Sequence, residues 1–460
     1  MNPRSAMPSE FPGTGPARRS LVVGLGITGL SCARHLAARG HALAVTDSRL
    51  QPPGLDALRE AVPDADIRVG GFAIALLDGV QQVVVSPGVS LDEPIVAAAR
   101  ERGLPVLGDI ELFLAEARAP IVAITGSNGK STVTSLLAEM LAGAGRKVGA
   151  GGTLGTPALS LLGDSEPDWY VLELSSFQLE RTWSLRARAG VVLNVSADHM
   201  DRHSSLAAYA AAKATVYRDC GVAVVNRDEP DMMAMARIAA PRAARISFGL
   251  DAPAPGHYGL VAGPGGARFL ARGGERLLEL DALAMRGMHN VSNALAALAL
   301  AEATGAAPEP VLATLAGFGG LPHRCQQVAT IGGVEFVDDS KGTNVGAAVA
   351  AVRGFSRPIV LIAGGIGKGA DFAPLAAALA GRARAAVLIG RDGPLLESAL
   401  AGVCPIEHAA GMDEAVGRAA ALARDGDIVL LSPACASQDM FEDYRARGAA
   451  FAAAVQGLAR

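Results

Sequence analysis

The sequence has no apolar run that approaches the length of a membrane span, which excludes a transmembrane helix and gives no reason to expect a membrane partner. A basic excess is missing too. Lys and Arg number 41 against 45 Asp and Glu, a net charge of -4, so nucleic acid, which favours a basic surface, is not expected as the main partner. Cysteine is sparse: five residues, at 32, 220, 325, 404 and 435, an odd number with no CxxC pair. That pattern fits buried free thiols in a reducing cytoplasm rather than a disulfide scaffold. The opening stretch MNPRSAMPSEFPGTGPARRS is rich in Pro, Gly and Ser and lacks the apolar core of a secretory signal. Residues 1–18 read as a disordered extension.

What is present is ample apolar material, half of the 460 residues, enough for roughly three domains. Short β-branched runs alternate with longer Ala- and Leu-rich amphipathic runs, the pattern of α/β units on mainly parallel sheets. The first unit reads as strands at 21–23, 42–45, 82–85 and 105–107, with Asp109 capping the helix that follows. A second unit carries strands at 120–124, 169–174, 190–195 and 222–226, short antiparallel excursions within 250–280, and a helix at 290–303. The stretch GFGGLPHRC, 317–325, reads as a linker. A third unit repeats strand and helix, with strands at 334–338, 358–363, 385–389 and 427–431.

One glycine is missing from an otherwise familiar motif. In AITGSNGKST a phosphate loop of the usual length would place glycine at 124, which is Ile124; the nearest is Gly126. Yet Ile121–Ile124 is a compact apolar strand, and Val133, Leu136, Leu137, Met140 and Leu141 mark one face of a helix. The loop therefore joins a buried strand to a helix N-terminus, where free N–H groups and the helix dipole favour a phosphate. Lys130 would add charge for the outer phosphates, and the Ser131 hydroxyl could ligate Mg²⁺. The shortening sets the loop apart from the common class.

The other motifs are weaker taken singly. Gly24, Gly26 and Gly29, with Asp47 closing the next strand, meet the dinucleotide criteria. An NAD-dependent dehydrogenase is one reading of them, another nucleotide diphosphate a second, a noncatalytic nucleotide-binding scaffold a third. Glu173 lies in an apolar strand, where a carboxylate needs a partner such as a metal ion. NVSADHMDRH gathers Asp198, His199, Asp201 and His203, and the two histidines, four apart, would suit one metal if helical. Lys213 sits among alanines. VDDSKGTN, GGIGKGADF and LSPACASQDMFEDY follow strands of the third unit, at the edge where open α/β sheets bind ligands.

In combination, TGSNGKST, LELSSFQLE, LNVSADHMDRH, GMHNVSNALAALALA, GLPHRCQ, DDSKGTN and LSPACASQDMF resemble the Mur ligase superfamily of ATP-dependent amino-acid ligases. The likeness spans residues 20–448, and the motif set is similar to that of the D-glutamate-adding members; a folylpolyglutamate synthase is the same-class alternative. The resemblance implies an α/β fold of three domains. These are an N-terminal Rossmann-like parallel sheet for the UDP substrate (19–107), a central P-loop-type ATPase α/β domain (108–320) and a C-terminal Rossmann-like α/β domain for the amino acid (321–460). It implies UDP-N-acetylmuramoyl-L-alanine, D-glutamate and ATP as substrates, two Mg²⁺ sites, and a monomer. By resemblance, Ile27, Thr28, Asp47, Ser48 and Gly88, with Thr153, face the UDP substrate. Gly126, Ser127, Asn128, Gly129, Lys130, Ser131 and Thr132, with Asn290, Asn293, Arg324 and Asp339, take ATP. Ser131 and Glu173 hold one Mg²⁺; His199 and Lys213, the lysine as a carbamate, hold the second. Lys341, Thr343, Lys368, Ser437 and the backbone near Tyr444 match the glutamate pocket. Two residues depart from the family pattern: Thr153 and Asp338 each stand where Asn is usual.

Overall fold

A computed structural model describes residues 18–458 except 154, 164 and 201. The extension expected at 1–18 thus lies, apart from residue 18, outside the described residues. Three sheets follow one another along the chain. The first comprises β1 (Arg19–Val23), β2 (Ala42–Asp47), β3 (Asp66–Val69), β4 (Gln82–Val85) and β5 (Val106–Leu107). All five run parallel in the order β3-β2-β1-β4-β5. Leu21, Val22 and Val23 are fully buried, as expected of a parallel strand covered on both faces. Strand order reverses between β1 and β4, which opens a crevice beyond their carboxyl ends.

The second sheet has β6 (Ile121–Thr125), β7 (Val148–Gly152), β8 (Trp169–Glu173), β9 (Ala189–Val192), β10 (Val222–Asn226), β11 (Ala244–Phe248), β12 (Tyr258–Ala262), β13 (Arg268–Arg272) and β14 (Glu275–Glu279). Their order is β14-β13-β12-β11-β10-β9-β6-β8-β7. Pairing is parallel from β7 to β12 and antiparallel only for β12, β13 and β14, which locates the excursions read at 250–280. Helix Lys130–Gly143 packs against helix Met288–Thr304 over one face of this sheet, burying Leu136, Leu137 and Met140 against Leu295 and Leu300. The small side chains of Ala296, Ala297 and Ala299 are fully buried there.

The third sheet holds β15 (Gln326–Ile331), β16 (Val334–Asp338), β17 (Ile359–Gly364), β18 (Ala383–Ile389), β19 (Ile406–His408) and β20 (Ile428–Leu431), in the order β15-β16-β20-β17-β18-β19. It is parallel except for the hairpin of β15 and β16. Of the strands that sequence reading passed over, β3, β7, β15 and β19 stand at sheet edges, β7 reading VGAGG, while β11 lies inside the second sheet between β10 and β12. Their pairing comes from a neighbour rather than from their own pattern. One cap is corrected. The helix Asp109–Leu114 is capped by Gly108 in extended conformation, and Asp109 is its first residue. The Asp109 carboxylate is buried and accepts from Gln178 Nε2 at 2.8 Å. Burial pushes its pKa up to about 6. All five cysteines are free, and four of them are buried.

Tyr217 links two central strands through its hydroxyl, which accepts from Val192 N at 3.1 Å and donates to the Val224 carbonyl at 2.9 Å. Its ring is fully buried. Tyr217→Phe would strand both backbone groups, a cost of about 1–3 kcal/mol. Urea unfolding followed by far-UV circular dichroism should show the central transition at lower denaturant.

Candidate active site

The shortened glycine loop is a strand-to-helix turn, as its flanks require. β6 is buried throughout and ends at Thr125, and the helix begins at Lys130. Gly129 occupies the N-cap with φ +83, a left-handed conformation that favours glycine. It also lacks room, because a Cβ there would collide with the side-chain oxygen of Asn293. The loop is held from outside. The Asn194 side chain accepts from Asn128 N at 2.8 Å and donates to Asn128 O at 3.1 Å. The Ser127 hydroxyl accepts from Ser196 N at 3.0 Å. Lys130 Nζ folds back onto the carbonyls of Gly126 and Ser127, both at 2.9 Å. Burial lowers its pKa, and Arg324 adds to the effect while Glu173 and Asp198 oppose it.

Lys213 comes from another helix to the same oxygen. Its Nζ donates to the Gly126 carbonyl at 2.8 Å and lies 4.3 Å from the centre of the Tyr209 ring. The side chain is 1 % exposed. Burial first, then the neighbouring Lys130, drives its pKa well below the ordinary lysine value. Glu173, the last residue of β8, is 4 % exposed, and its Oε2 has no hydrogen-bond partner among the described residues. Its charge favours the protonated forms of Lys130, Lys213, Arg324 and Lys341 alike. Arg324 crosses from the linker to donate to Ser131 Oγ at 2.7 Å.

The two histidines of DHMDRH meet the same Phe177 ring but make different polar contacts. The segment is a turn, not a helix, with His199 at φ +57. His203 is buried, with Nδ1 3.1 Å from Glu180 and Nε2 3.0 Å from Ser176, and it stacks on Phe177. His199 meets the edge of that ring and lies 3.7 Å from Asp198. Asp201 is outside the described residues. Among the described residues no group of three His, Cys, Asp or Glu side chains is arranged to hold a metal. The donor set still fits Mg²⁺, which takes one or two carboxylates and completes its shell with water and substrate phosphates. Glu173 offers an unpartnered carboxylate oxygen, and Ser131 offers a hydroxyl.

A cavity of about 520 Å³ opens beside the loop, lined by Asn128, Gly129, Thr132, Asn290, Asn293, Arg324, Asp339 and Lys341. Of the loop residues matched to ATP, Gly126, Ser127, Lys130 and Ser131 are not in this lining. Asn293 Nδ2 donates to Asn290 Oδ1 at 3.1 Å. Asp339 accepts from Ser432 Oγ at 2.7 Å and from Cys325 N at 3.2 Å, and burial raises its pKa to about 7.

A second cavity, of about 490 Å³, occupies the switch point of the first sheet. Ile27, Thr28, Asp47, Ser48 and Gly88 all line it. Ile27 is 72 % exposed, an apolar face at a helix start. Asp47 accepts from Leu25 N at 2.7 Å and from Arg49 Nε at 2.9 Å. Burial works to raise its pKa, but those hydrogen bonds prevail and hold it at about 2. Thr153 is not in this lining; its hydroxyl donates to Gln178 Oε1 at 2.6 Å. Sequence reading missed Arg49 and Arg202, which also line the cavity. Arg49 follows the Asp47-Ser48 pair, and Arg202 lies inside DHMDRH, so their placement was visible; their direction was not. Arg202 reaches over from the central unit to donate to the carbonyls of Gly88 and Val89 at 3.0 and 3.2 Å.

The residues matched to a glutamate pocket are less closely gathered. Lys341 lies 4.6 Å from the Tyr444 ring, with a pKa lowered to about 8 by burial and by Arg324 and Lys130. Thr343 follows on the same loop. Ser437 is 2 % exposed, and its hydroxyl has no partner among the described residues. The Tyr444 carbonyl is engaged by Ser340 Oγ at 2.7 Å. Lys368 is on an exposed turn after β17 with φ +53, close to Ile366, which pairs with Ala436 beside Ser437, and its charge reaches Cys435. Asp338, the departure from Asn, holds the linker: its Oδ2 lies 2.7 Å from His323 Nδ1, and its Oδ1 accepts from Ser340 N at 2.8 Å.

Three family models match the chain in order. They are described as the Mur ligase MurD-like N-terminal domain over residues 18–108, the Mur ligase middle domain over 124–301 and the Mur ligase glutamate ligase domain over 323–435. The chain belongs to the Mur ligase family. The UDP-N-acetylmuramoylalanine--D-glutamate ligase of Nitrosococcus oceani is 54 % identical over 96 % of this chain and 97 % of its own length. The protein of that name from Pseudomonas aeruginosa is 49 % identical over 95 % and 98 %. Among solved structures, the UDP-N-acetylmuramate-alanine ligase MurC of Thermotoga maritima superposes with a TM-score of 0.61 at 19 % identity, covering 96 % of this chain and all of its own. The MurF ligase of that organism, in complex with ADP, gives 0.60 at 17 % over 91 % and 96 %. At such identities these two share the Mur ligase fold.

Lys130→Met should leave the helix in place, because methionine is a good helix former. It should weaken Mg-ADP binding at least about tenfold, about 1.4 kcal/mol. Isothermal titration of the full chain with Mg-ADP, alongside circular dichroism, checks both.

Proposed function

We propose that the chain joins D-glutamate to UDP-N-acetylmuramoyl-L-alanine with consumption of ATP, giving ADP and phosphate through an acyl phosphate. One observation carries the reading: Lys213, buried, and Lys130, Arg324 and Lys341, partly buried, all feel the Glu173 carboxylate beside a phosphate loop. Buried cations are costly unless something anionic joins them. A reaction that brings a triphosphate to a carboxylate supplies such a partner. A carboxylate is a poor acylating agent; phosphorylation makes it a mixed anhydride, which the glutamate amine opens with loss of phosphate.

The 490 Å³ cavity takes the UDP end through Ile27, Thr28, Asp47, Ser48 and Gly88, with Thr153 toward the acceptor carboxylate. The 520 Å³ cavity takes ATP. Lys341, Thr343, Lys368, Ser437 and the backbone at Tyr444 receive glutamate, whose two carboxylates call for cations and hydroxyls. The domains run 19–107, 108–320 and 321–460. Ser131 and Glu173 would hold one Mg²⁺, and His199 with Lys213 the other. When bound, Mg²⁺ supplies positive charge where phosphate meets carboxylate. The chain orients three substrates between its units, worth roughly 7–11 kcal/mol, and their closure keeps water from the anhydride. No helix among the described residues is long and apolar enough to cross a membrane; a cytoplasmic monomer is part of the proposal.

Lys213 can serve a metal only as a carbamate, since an ammonium repels Mg²⁺. The structure favours the precursor. Lys213 shares the Gly126 carbonyl with Lys130, and burial with that neighbour depresses its pKa. The neutral amine adds CO₂ and releases one proton, leaving oxygen donors with negative charge. Lys213→Ala should lose ligation by at least about a hundredfold, in the range of losses for removed catalytic groups. Short carboxylates such as acetate should restore part of it; full activity without them would remove the carbamate.

The reaction is tested by an ADP-release screen of the full chain over UDP-muramoyl acceptors and amino acids. Release should require UDP-N-acetylmuramoyl-L-alanine and D-glutamate together. ADP release that ignores the amino acid, or nicotinamide reduction without ADP release, would overturn the reading.

A further inference from the structure

The phosphate loop is held by a side chain of the C-terminal unit as well as by its own domain. Asn128 Nδ2 donates to Asn344 Oδ1 at 3.4 Å, and Asn344 Nδ2 donates back to Asn128 Oδ1 at 3.2 Å. The Asn344 amide is fixed from both ends. Its Oδ1 caps helix Val345–Gly354 by accepting from Ala347 N at 2.8 Å, and its Nδ2 also donates to Asp198 Oδ2 at 3.0 Å. Only one orientation of the amide satisfies all of these partners. The two surfaces meet closely. A Cβ at Gly346 would stand 2.6 Å from Ser196 Oγ and 3.4 Å from Asn128 Nδ2. Behind Asn344, the same helix walls the larger cavity through Gly346, Ala347 and Ala350. Immediately before it, one loop carries Lys341 and Thr343.

We infer that Asn344 is a positioning residue that latches the loop bearing Lys341 and Thr343 onto the phosphate loop through Asn128, so that the amino-acid pocket is assembled against the ATP site. The oxygen caps the helix and also accepts from Asn128, whereas the NH₂ group serves only the contacts between units, to Asn128 and Asp198. Serine and aspartate also cap helices well. Serine cannot span to Asn128, and aspartate presents no donor and sets a negative charge against Asp198. This inference rests on the proposed ligation, and the test keeps the two apart.

Wild type, Asn344→Ser, Asn344→Asp, Asn128→Ala and the Asn128→Ala/Asn344→Ser pair are assayed as full chains. ADP release gives KM for D-glutamate and for ATP. Hydroxylamine trapping, without glutamate, reports acyl-phosphate formation. A latch predicts that Asn344→Ser raises the glutamate KM about tenfold and leaves the ATP KM and hydroxamate yield within about twofold. Asn344→Asp should be worse than Asn344→Ser. The double variant should raise the glutamate KM no further than Asn344→Ser alone. Equal, near-wild-type behaviour of the Ser and Asp variants would reduce Asn344 to a helix cap and overturn the inference, as would multiplicative effects in the double variant. Absence of ADP release by the wild type would instead overturn the proposed reaction.

Discussion

Lys130 and Lys213 donate to one carbonyl oxygen, that of Gly126. Two ammonium groups so placed repel each other, and both are withdrawn from water, so neither is at its ordinary pKa. Much of the surrounding construction follows from this crowding: Glu173 at the end of β8 and Asp198 beyond β9 supply negative charge on either side. Burying such a cluster costs stability that the apolar cores of the three sheets must offset. A site of this kind is selected for what it binds.

The constraint extends beyond the central sheet. Arg324 and Lys341 belong to the linker and the third unit, yet both feel Glu173. The linker turn that carries Arg324 has two non-glycine residues at positive φ, His323 at +62 and Cys325 at +47. Each is tied to one of two consecutive carboxylates. His323 pairs with Asp338, and Cys325 N donates to Asp339. Such conformations persist when the surroundings over-determine them. Here they aim the guanidinium at Ser131. Arg181 and Arg202 make the corresponding link on the other side, gripping the loop at Gly88 and Val89 that borders the 490 Å³ cavity. Arg447, fully buried, ties Ser340 to the Cys435 carbonyl. Polar contacts between units thus include residues next to the sites, alongside more remote pairs such as Glu116 with His35 and Arg39.

Sequence by itself determined the alternation of strands and helices and the strand-loop-helix setting of Lys130, because buried parallel strands and amphipathic helices write their burial into local periodicity. It also determined the edge at which each loop lies, since β-strands of known direction leave their carboxyl ends on one side. The motif set then pointed to a family by resemblance. Tertiary structure decided what periodicity does not encode. Asp109 stands one residue inside its helix, which Gly108 caps, and its carboxylate accepts from Gln178, 69 residues away. His203 turned to Glu180 and Ser176, while His199 lies against Asp198 and the edge of the Phe177 ring. The amide pair of Asn128 and Asn344 spans 216 residues. Direction, distance and charge between segments far apart in the chain depend on how three sheets pack together, and no local pattern carries that information.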